Sequence, residues 1–438
     1  MILKSNSTNG SLMQTHARRR LLSWLISIIM FSSCVLAARS AWRAGAARLL
    51  AKYASDELQN EAAQRAVELS PADPETHAAR GVVRYNLKDM RGALAEFERA
   101  AALRPRDYFL WLQLGRARDE AGDAAGAARA LQEAIRLAPY YSEPRWQYGN
   151  VLYRQGRLDD AFTEMRRAAE SNPTLDPAFI DLVWSTYKGD ARAVENVVRP
   201  QTDAQRLTLA RFFARKGQGD EALALFRATG EIPQDDRKAL LGELMKAKQF
   251  RAAYEVWAGG RDAGAGGATD GVGVVTDPGF EGHINPSETG FGWRQEHALD
   301  GVRLSVDTQG PKSGSRALLI EWAGHANPAA TVISQLVLVE PGARYRLSFA
   351  ARTESVVTGG LPLLVVLDAS AADERILAQS QTLPQGTSVW QEYEVAFTAA
   401  AQTQAVLISV RRQSCESQPC PMFGRVWLDD FSLRKLTD

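Results

Sequence analysis

The side chains able to do chemistry in this 438-residue chain are scattered, and their spacing excludes more than it offers. The five histidines, His16, His77, His283, His297 and His325, show no His-Glu-x-x-His or other metal-ligand spacing. No Gly-x-Ser-x-Gly nucleophile turn and no phosphate-cradling glycine loop occurs. The acids Glu281, Glu321, Glu392, Asp429 and Asp430 could supply the carboxylate pair of glycoside hydrolysis, but their spacing singles out no pair. The expectation is a protein that is not an enzyme and binds no cofactor. Of three cysteines, Cys34 lies in an apolar run, while Cys415 and Cys420 bound a short Ser/Gln/Pro-rich loop. Two cysteines without further ligands make a poor zinc site. They make a reasonable disulfide in an oxidising compartment, with two loop thiols in a reducing cytosol as the alternative. Closing so short a loop contributes about 2 kcal/mol in the chain-entropy model.

A formal net charge of +1 argues against a nucleic-acid partner, which usually demands a basic face. Residues 21–38 carry no charge and are flanked by Arg18, Arg19, Arg20 and Arg39. As a helix they span roughly 27 Å, barely a bilayer core. The reading is a cytoplasmic tail over 1–20 and a transmembrane helix over 21–38 that anchors the chain to a membrane. A cleaved signal peptide ending near Val35-Leu36-Ala37 is the alternative, although the run is long for a signal core. Phe31-Ser32-Ser33-Cys34 is a poor lipoprotein box, and Arg43, Arg48 and Lys52 weaken the positive-inside asymmetry. The cysteine pair then favours an external location for the bulk of the chain.

Alanine, arginine and glutamate dominate up to Trp257; valine, glycine, serine and threonine follow, so helix should give way to strand. Pro71, Pro105, Pro139 and Pro173 recur every 34 residues. Before the last three stand Gly81, Gly115 and Gly149, then Ala93, Ala127 and Ala161, a bulky Phe97, Leu131 or Met165, and Ala100, Ala134 or Ala168. Small residues let two helices approach, the bulky residue plugs the gap, and proline ends the second helix. The pattern resembles the tetratricopeptide repeat, which implies an α-helical solenoid over 39–257 whose concave face binds a protein partner. The first unit is atypical: its opening helix continues from the apolar run without a glycine or proline break. Concave positions of each repeat's first helix fall on Tyr85, Asn86, Arg116, Asp119, Trp146, Asn150, Tyr153 and Arg154, a set suited to an extended peptide. The plainer alternative makes Trp146 and Tyr153 packing residues and the charges a solvated face. A basic carboxylate clamp of the kind that grips chaperone C-termini is not supported, since only Asn150 stands at a comparable position.

Residues 258–272 read as a Gly/Ala linker. Beyond it, strand runs with Gly/Pro/Ser punctuation over 273–438 indicate an antiparallel β-sandwich. Asp277-Pro278-Gly279-Phe280-Glu281, Gly314 to Leu318, Val339-Glu340-Pro341-Gly342 with Tyr345 to Arg352, and Trp427 to Leu433 resemble carbohydrate-binding-module jelly rolls of the galactose-binding-like type. That resemblance implies a structural calcium near Glu281 and Asp430, with a salt-bridged or solvated pair as the alternative. Sugar sites stack aromatics, and Phe291 and Trp293, in a polar loop outside any strand run, are the candidates. Trp293, Trp322, Trp390 and Trp427 mostly sit where core fillers are expected, so packing is the alternative for Trp293.

The whole reads as a multidomain α + β protein of a bacterial inner membrane, single-pass, with its bulk in the periplasm. It resembles accessory proteins of polysaccharide synthesis and export, which implies a scaffold contacting a protein partner and a polysaccharide. A pure protein–protein assembly factor is the alternative.

Overall fold

The computed structural model describes residues 9–259 and 271–437, apart from 283, 285–287, 296–298, 325–326, 328–329 and 416–419, with side chains from residue 23 onward. The chain divides into two compact units, Met1–Phe179 and Ile180–Asp438.

The first unit comprises α1 (Asn9–Glu57), α2 (Asn60–Leu69), α3 (Pro74–Asn86), α4 (Met90–Leu103), α5 (Tyr108–Glu120), α6 (Ala124–Leu137), α7 (Ser142–Arg154) and α8 (Leu158–Ser171). Each repeating proline stands two residues past the end of α2, α4, α6 or α8, where it cannot prolong the helix. The proline carbonyl then accepts a bond from the residue six positions on. His77 Nε2 lies 2.9 Å from Pro71 O, Trp111 Nε1 donates to Pro105 O at 3.0 Å, and Arg145 Nε donates to Pro139 O at 3.2 Å. Asp73 and Asp107 cap α3 and α5, and Asp89 and Asp123 cap α4 and α6, each accepting a first-turn N–H.

Within each pair the glycine faces the bulky residue 16 positions on. A Cβ at Gly81, Gly115 or Gly149 would lie 2.7, 2.6 or 2.6 Å from Phe97, Leu131 or Met165. Ala93, Ala127 and Ala161 are fully buried at the same crossings. A buried ionic knot sits beneath the second repeat. His77 Nδ1 is 2.7 Å from Glu96 Oε2, and Arg80 Nη2 is 2.5 Å from Glu96 Oε1. Burial pushes the Glu96 carboxyl up, but the bonds from His77 and Arg80 outweigh it and hold it below its ordinary range.

Helix α1 runs unbroken for 49 residues, about 73 Å. Within it Ser23–Glu57 is long and apolar enough to cross a membrane by length and composition, and its most apolar window is unburied. From Ala47 onward the helix packs as a repeat helix: Ala51 meets Ala66 and Ala79, and Ala54 meets Ala63 and Val83.

The second unit opens with α9 (Asp176–Thr186), which straddles the division, then α10 (Ala191–Val198), α11 (Asp203–Arg215), α12 (Gly219–Arg227), α13 (Gln234–Lys246) and α14 (Phe250–Ala258). Its strands are β1 (Val302–Asp307), β2 (Ala317–Gly324), β3 (Ile333–Leu338), β4 (Arg344–Thr358), β5 (Pro362–Asp368), β6 (Ile376–Gln379), β7 (Gln391–Thr398), β8 (Ala405–Arg412) and β9 (Met422–Leu436). They form two antiparallel sheets, β1-β2-β9-β4-β7 and β3-β8-β5-β6. Leu318, Ile320, Trp322, Phe349, Val366 and Ile408 share the core that joins the sheets.

The chain divides among the helices and not at the expected boundary before the sandwich, so α10 to α14 group with the sheets in the second unit. Tyr254 and Trp257 of α14 pack on Phe291 at centroid distances of 5.0 and 5.6 Å. Trp257 Nε1 donates to Glu288 Oε1 at 2.9 Å. Lys248 Nζ donates to the carbonyls of Ser370 and Ala371. Most of the expected linker, residues 260–270, lies outside the described residues.

Candidate functional site

In the first unit, a cavity of about 220 Å³ opens between repeat helices. Val82, Tyr85 and Asn86 from α3, Phe97 from α4, and Gln113 and Arg116 from α5 line it. Phe97 forms an apolar floor at 2% exposure. Tyr85 Oη donates to Glu120 Oε2 at 2.9 Å, and Asn86 Nδ2 donates to Val82 O at 2.9 Å. Burial, reinforced by the bond to Glu120, pushes the Tyr85 phenol up, so it stays a donor at neutral pH. Arg116 is exposed, and no carboxylate pairs with it among the described residues. The arrangement offers an apolar seat, an aromatic wall and an available guanidinium, which suits a peptide carrying an apolar side chain next to a carboxylate.

The structure thus brings Tyr85, Asn86 and Arg116 to one cavity. Asp119 and Arg154 form an ion pair with each other across neighbouring repeats. Trp146, Asn150 and Tyr153 are half-buried and outside that cavity, and Tyr153 packs on Phe162 at 6.0 Å. Gln113 and Glu120 escaped the sequence reading, although Gln147 and Asn86 stand 34 residues from them in equivalent positions.

The sandwich presents a different site from the one expected. Phe291 and Trp293 are 1% and 4% exposed, so neither offers a ring face to a sugar. Phe291 plugs the contact with α14, and Trp293 packs on Phe280 and Phe431 at 5.0 and 4.8 Å. An aromatic pair lies instead on the outer face of the five-stranded sheet. Trp427 alternates with the core residues Val426 and Leu428 and so lies on the sheet's other face. It is buried there at 4% exposure, as its expected packing role requires, which leaves half-buried Trp390 as the accessible ring of the pair. The Arg352 guanidinium stacks 3.8 Å from the Trp427 ring and 5.6 Å from that of half-buried Trp390. Trp427 Nε1 donates to Asp307 Oδ2 at 2.7 Å, and Trp390 Nε1 donates to Gly310 O at 3.1 Å. Burial pushes the Asp307 carboxyl up, but the Gln309 amide, the Trp427 indole and Arg352 outweigh it and hold it ionised. Next to this stack Arg425 bridges Glu321 at 3.1 Å and Glu354 at 3.4 Å. Aromatic faces rimmed by carboxylates and guanidinium groups are the chemistry of a polyol contact.

The calcium expectation at Glu281 and Asp430 does not fit the residues present. Glu281 accepts the Ser315 amide at 2.8 Å, the Ser315 hydroxyl at 2.5 Å and the Arg316 amide at 3.1 Å. The Ser315 hydroxyl and amide hold its carboxyl below the ordinary range. Asp430 takes the Ser313 hydroxyl, while the adjacent Asp429 is fully buried and accepts the Lys312, Ser313 and Asp430 amides. Burial pushes the Asp429 carboxyl up. These acids clasp the loop before β2 through N–H and O–H donors, whereas calcium asks for six to eight oxygens. Among the described residues no three acidic, histidine or cysteine side chains converge as a metal group.

Cys415 and Cys420 are disulfide-bonded, with Cα atoms 5.7 Å apart. Buried Arg412 donates to Cys420 O at 3.1 Å and to Gly360 O at 3.2 Å, which ties the bridge to the turn before β5.

Fold and sites together define a helical-repeat protein with an antiparallel β domain. Residues 120–183 match the tetratricopeptide repeat family model. The chain is similar to human (Homo sapiens) DnaJ homolog subfamily C member 3, 28% identical over 118 residues, 27% of this chain and 23% of that protein. The match therefore spans under a quarter of that curated relative's length. Among solved structures, YrrB, described as a TPR protein with an unusual peptide-binding site, is 21% identical over 45% of this chain and 88% of its own, with a TM-score of 0.30. A structure described as "CBM4 structure and function" is 14% identical over 37% of this chain and all (100%) of its own, with a TM-score of 0.29.

Proposed function

We propose that this protein is a membrane-anchored scaffold without catalytic activity, resident in a bacterial inner membrane with its bulk in the periplasm. Its repeat groove grips an extended segment of a protein partner. The cavity carries the reading, because Tyr85, Gln113 and the exposed Arg116 converge over the Phe97 floor. The bonded Cys415–Cys420 pair supports an oxidising compartment, and the unburied apolar stretch of α1 supports the anchor. The β domain, read as a galactose-binding-like jelly roll, contacts glycan through half-buried Trp390, held beside Arg352 on the buried Trp427, and polysaccharide synthesis or export is the setting that joins the two roles.

Photo-crosslinking in the native host tests the groove. With Gln113 replaced by benzoylphenylalanine, discrete protein adducts are expected, and Arg116→Glu should abolish them. Adducts unaffected by Arg116→Glu, or none at all, would sink the groove reading. The burial of Phe291 and Trp293 favours a second reading, an assembly factor whose sandwich binds no sugar. A glycan array on the full chain separates the two: Trp390→Ala should erase every signal under the first, and no signal arises under the second.

A further inference from the structure

The first unit has two edges, and they differ in chemistry. Along α1 and α3 the contacts climb together: Arg48 pairs with Asp73 at 2.7 Å, Ala51 packs on Ala79, and Ala54 on Val83. The two helices are therefore parallel, and the start of α3 stands level with Arg48. Tyr108 and Tyr141, whose rings meet at a tilt with centroids 4.7 Å apart, bring the starts of α5 and α7 to the same edge. This edge faces the direction from which the apolar part of α1 arrives. Trp42 lies only six residues before Arg48, about 9 Å along the helix.

On that edge stand Trp42, Phe109, Tyr140 and Tyr141, exposed at 70, 48, 87 and 56%. Arg39, Arg43 and Arg106 are exposed beside them. The opposite edge is about 20 Å away, the length of α3. It is built from Leu58 at the end of α1, Leu87-Lys88-Asp89, Gly122-Asp123 and Gly156-Arg157, with Leu58 and Leu87 its exposed large apolar side chains and no exposed aromatic among these described residues. The capping acid is lost once on each edge: on the far edge Arg157 stands before α8 without a capping bond, where Asp89 and Asp123 cap α4 and α6. Asp73 and Asp107 cap α3 and α5, but Tyr141 holds the equivalent position before α7 and makes no capping bond. On the aromatic edge the acid is replaced by an aromatic whose ring packs on Tyr108 yet stays 56% exposed.

We propose that this edge rests in the lipid headgroup layer beside the exit point of α1, with Trp42, Phe109, Tyr140 and Tyr141 as interfacial anchors and the arginines on lipid phosphates. Tryptophan and tyrosine concentrate at that depth, and exposed cations are drawn to anionic headgroups. The headgroup layer is only about 5–8 Å thick, and a helix tilt of about 20° lowers one side of the edge into it. The solenoid would then lie against the bilayer with its far edge open. This inference rests on the anchor reading.

The test uses the full-length chain with Cys34→Ser, its Cys415–Cys420 bond left oxidised, and one new cysteine at either Tyr140→Cys or Leu87→Cys. Each variant, labelled with an environment-sensitive fluorophore, is reconstituted into phosphatidylcholine–phosphatidylglycerol vesicles containing a headgroup nitroxide lipid. Flotation with the vesicles, with blue-shifted and quenched emission at 140 and neither effect at 87, is the expected result. Flotation with emission at 140 that is unshifted and unquenched, or the same as at 87, overturns the footprint and leaves the anchor standing. Failure to float overturns both.

Discussion

Helices are held in two different ways in this chain. In the first unit one contact is repeated: a glycine against a bulky side chain 16 residues on, with a buried alanine beside it, at every 34-residue step. In the second unit α14 is held to the β domain by a single aromatic plug, Phe291 between Tyr254 and Trp257, and Lys248 at the turn before it reaches two carbonyls. The repeated contact distributes packing over many equivalent sites, each dependent on small residues. The plug concentrates it in one ring.

Ala127→Arg should break the repeated contact most severely, since a long cation would be forced into a site with no exposure. A loss of about 4 kcal/mol or more is expected in urea melts of the full chain. An unchanged midpoint would refute the helix register. Phe291→Ala should cost about 3–4 kcal/mol and speed hydrogen exchange through α14 while leaving that of α3 to α8 unchanged. Unchanged stability with lost glycan binding would instead restore Phe291 as a sugar contact.

Glu96→Gln probes the knot beneath the repeats, where the folded carboxyl is held below its ordinary value. Such a group stabilises the fold above the unfolded pKa of about 4.3 and loses that contribution as pH falls through the folded pKa. The substitution should cost about 2–3 kcal/mol at pH 7 and almost nothing once Glu96 of the parent protein is itself protonated and neutral like the glutamine. A penalty independent of pH would mean that the knot is held by shape alone. Lys248→Gly should have the smallest effect, within about 1 kcal/mol of zero. It relieves a left-handed φ of 56° while removing the bonds to Ser370 and Ala371. A large loss would make Lys248 a second anchor equal to Phe291.

The same contrast explains what could be read from the residues. Period 34 exposes Gly115 and Leu131 as partners because the pair recurs, and Tyr85, Asn86 and Arg116 follow once the helix faces are known. Phe291 recurs nowhere, so only its loop position was legible, and a polar loop suggested exposure. Trp427 is buried as a large strand aromatic should be, but strand alternation says only which residues share a face, so its place under Arg352 on the face opposite Val426 and Leu428 was not legible. Asp429 and Asp430 are adjacent, and the left-handed φ of 50° at Asp430, at an irregularity in the β4–β9 register, decides which of them is buried. Adjacency in sequence carries no such information.

Three unlike residues, His77, Trp111 and Arg145, reach the preceding proline carbonyl from equivalent positions. Imidazole, indole and guanidinium share little except a nitrogen at the right reach. What recurs at that position is therefore an office and not an occupant. From one repeat to the next the holder changes so long as an N–H is presented, and the office lapses only after Pro173, where the equivalent Phe179 is a buried ring with no side-chain N–H to give.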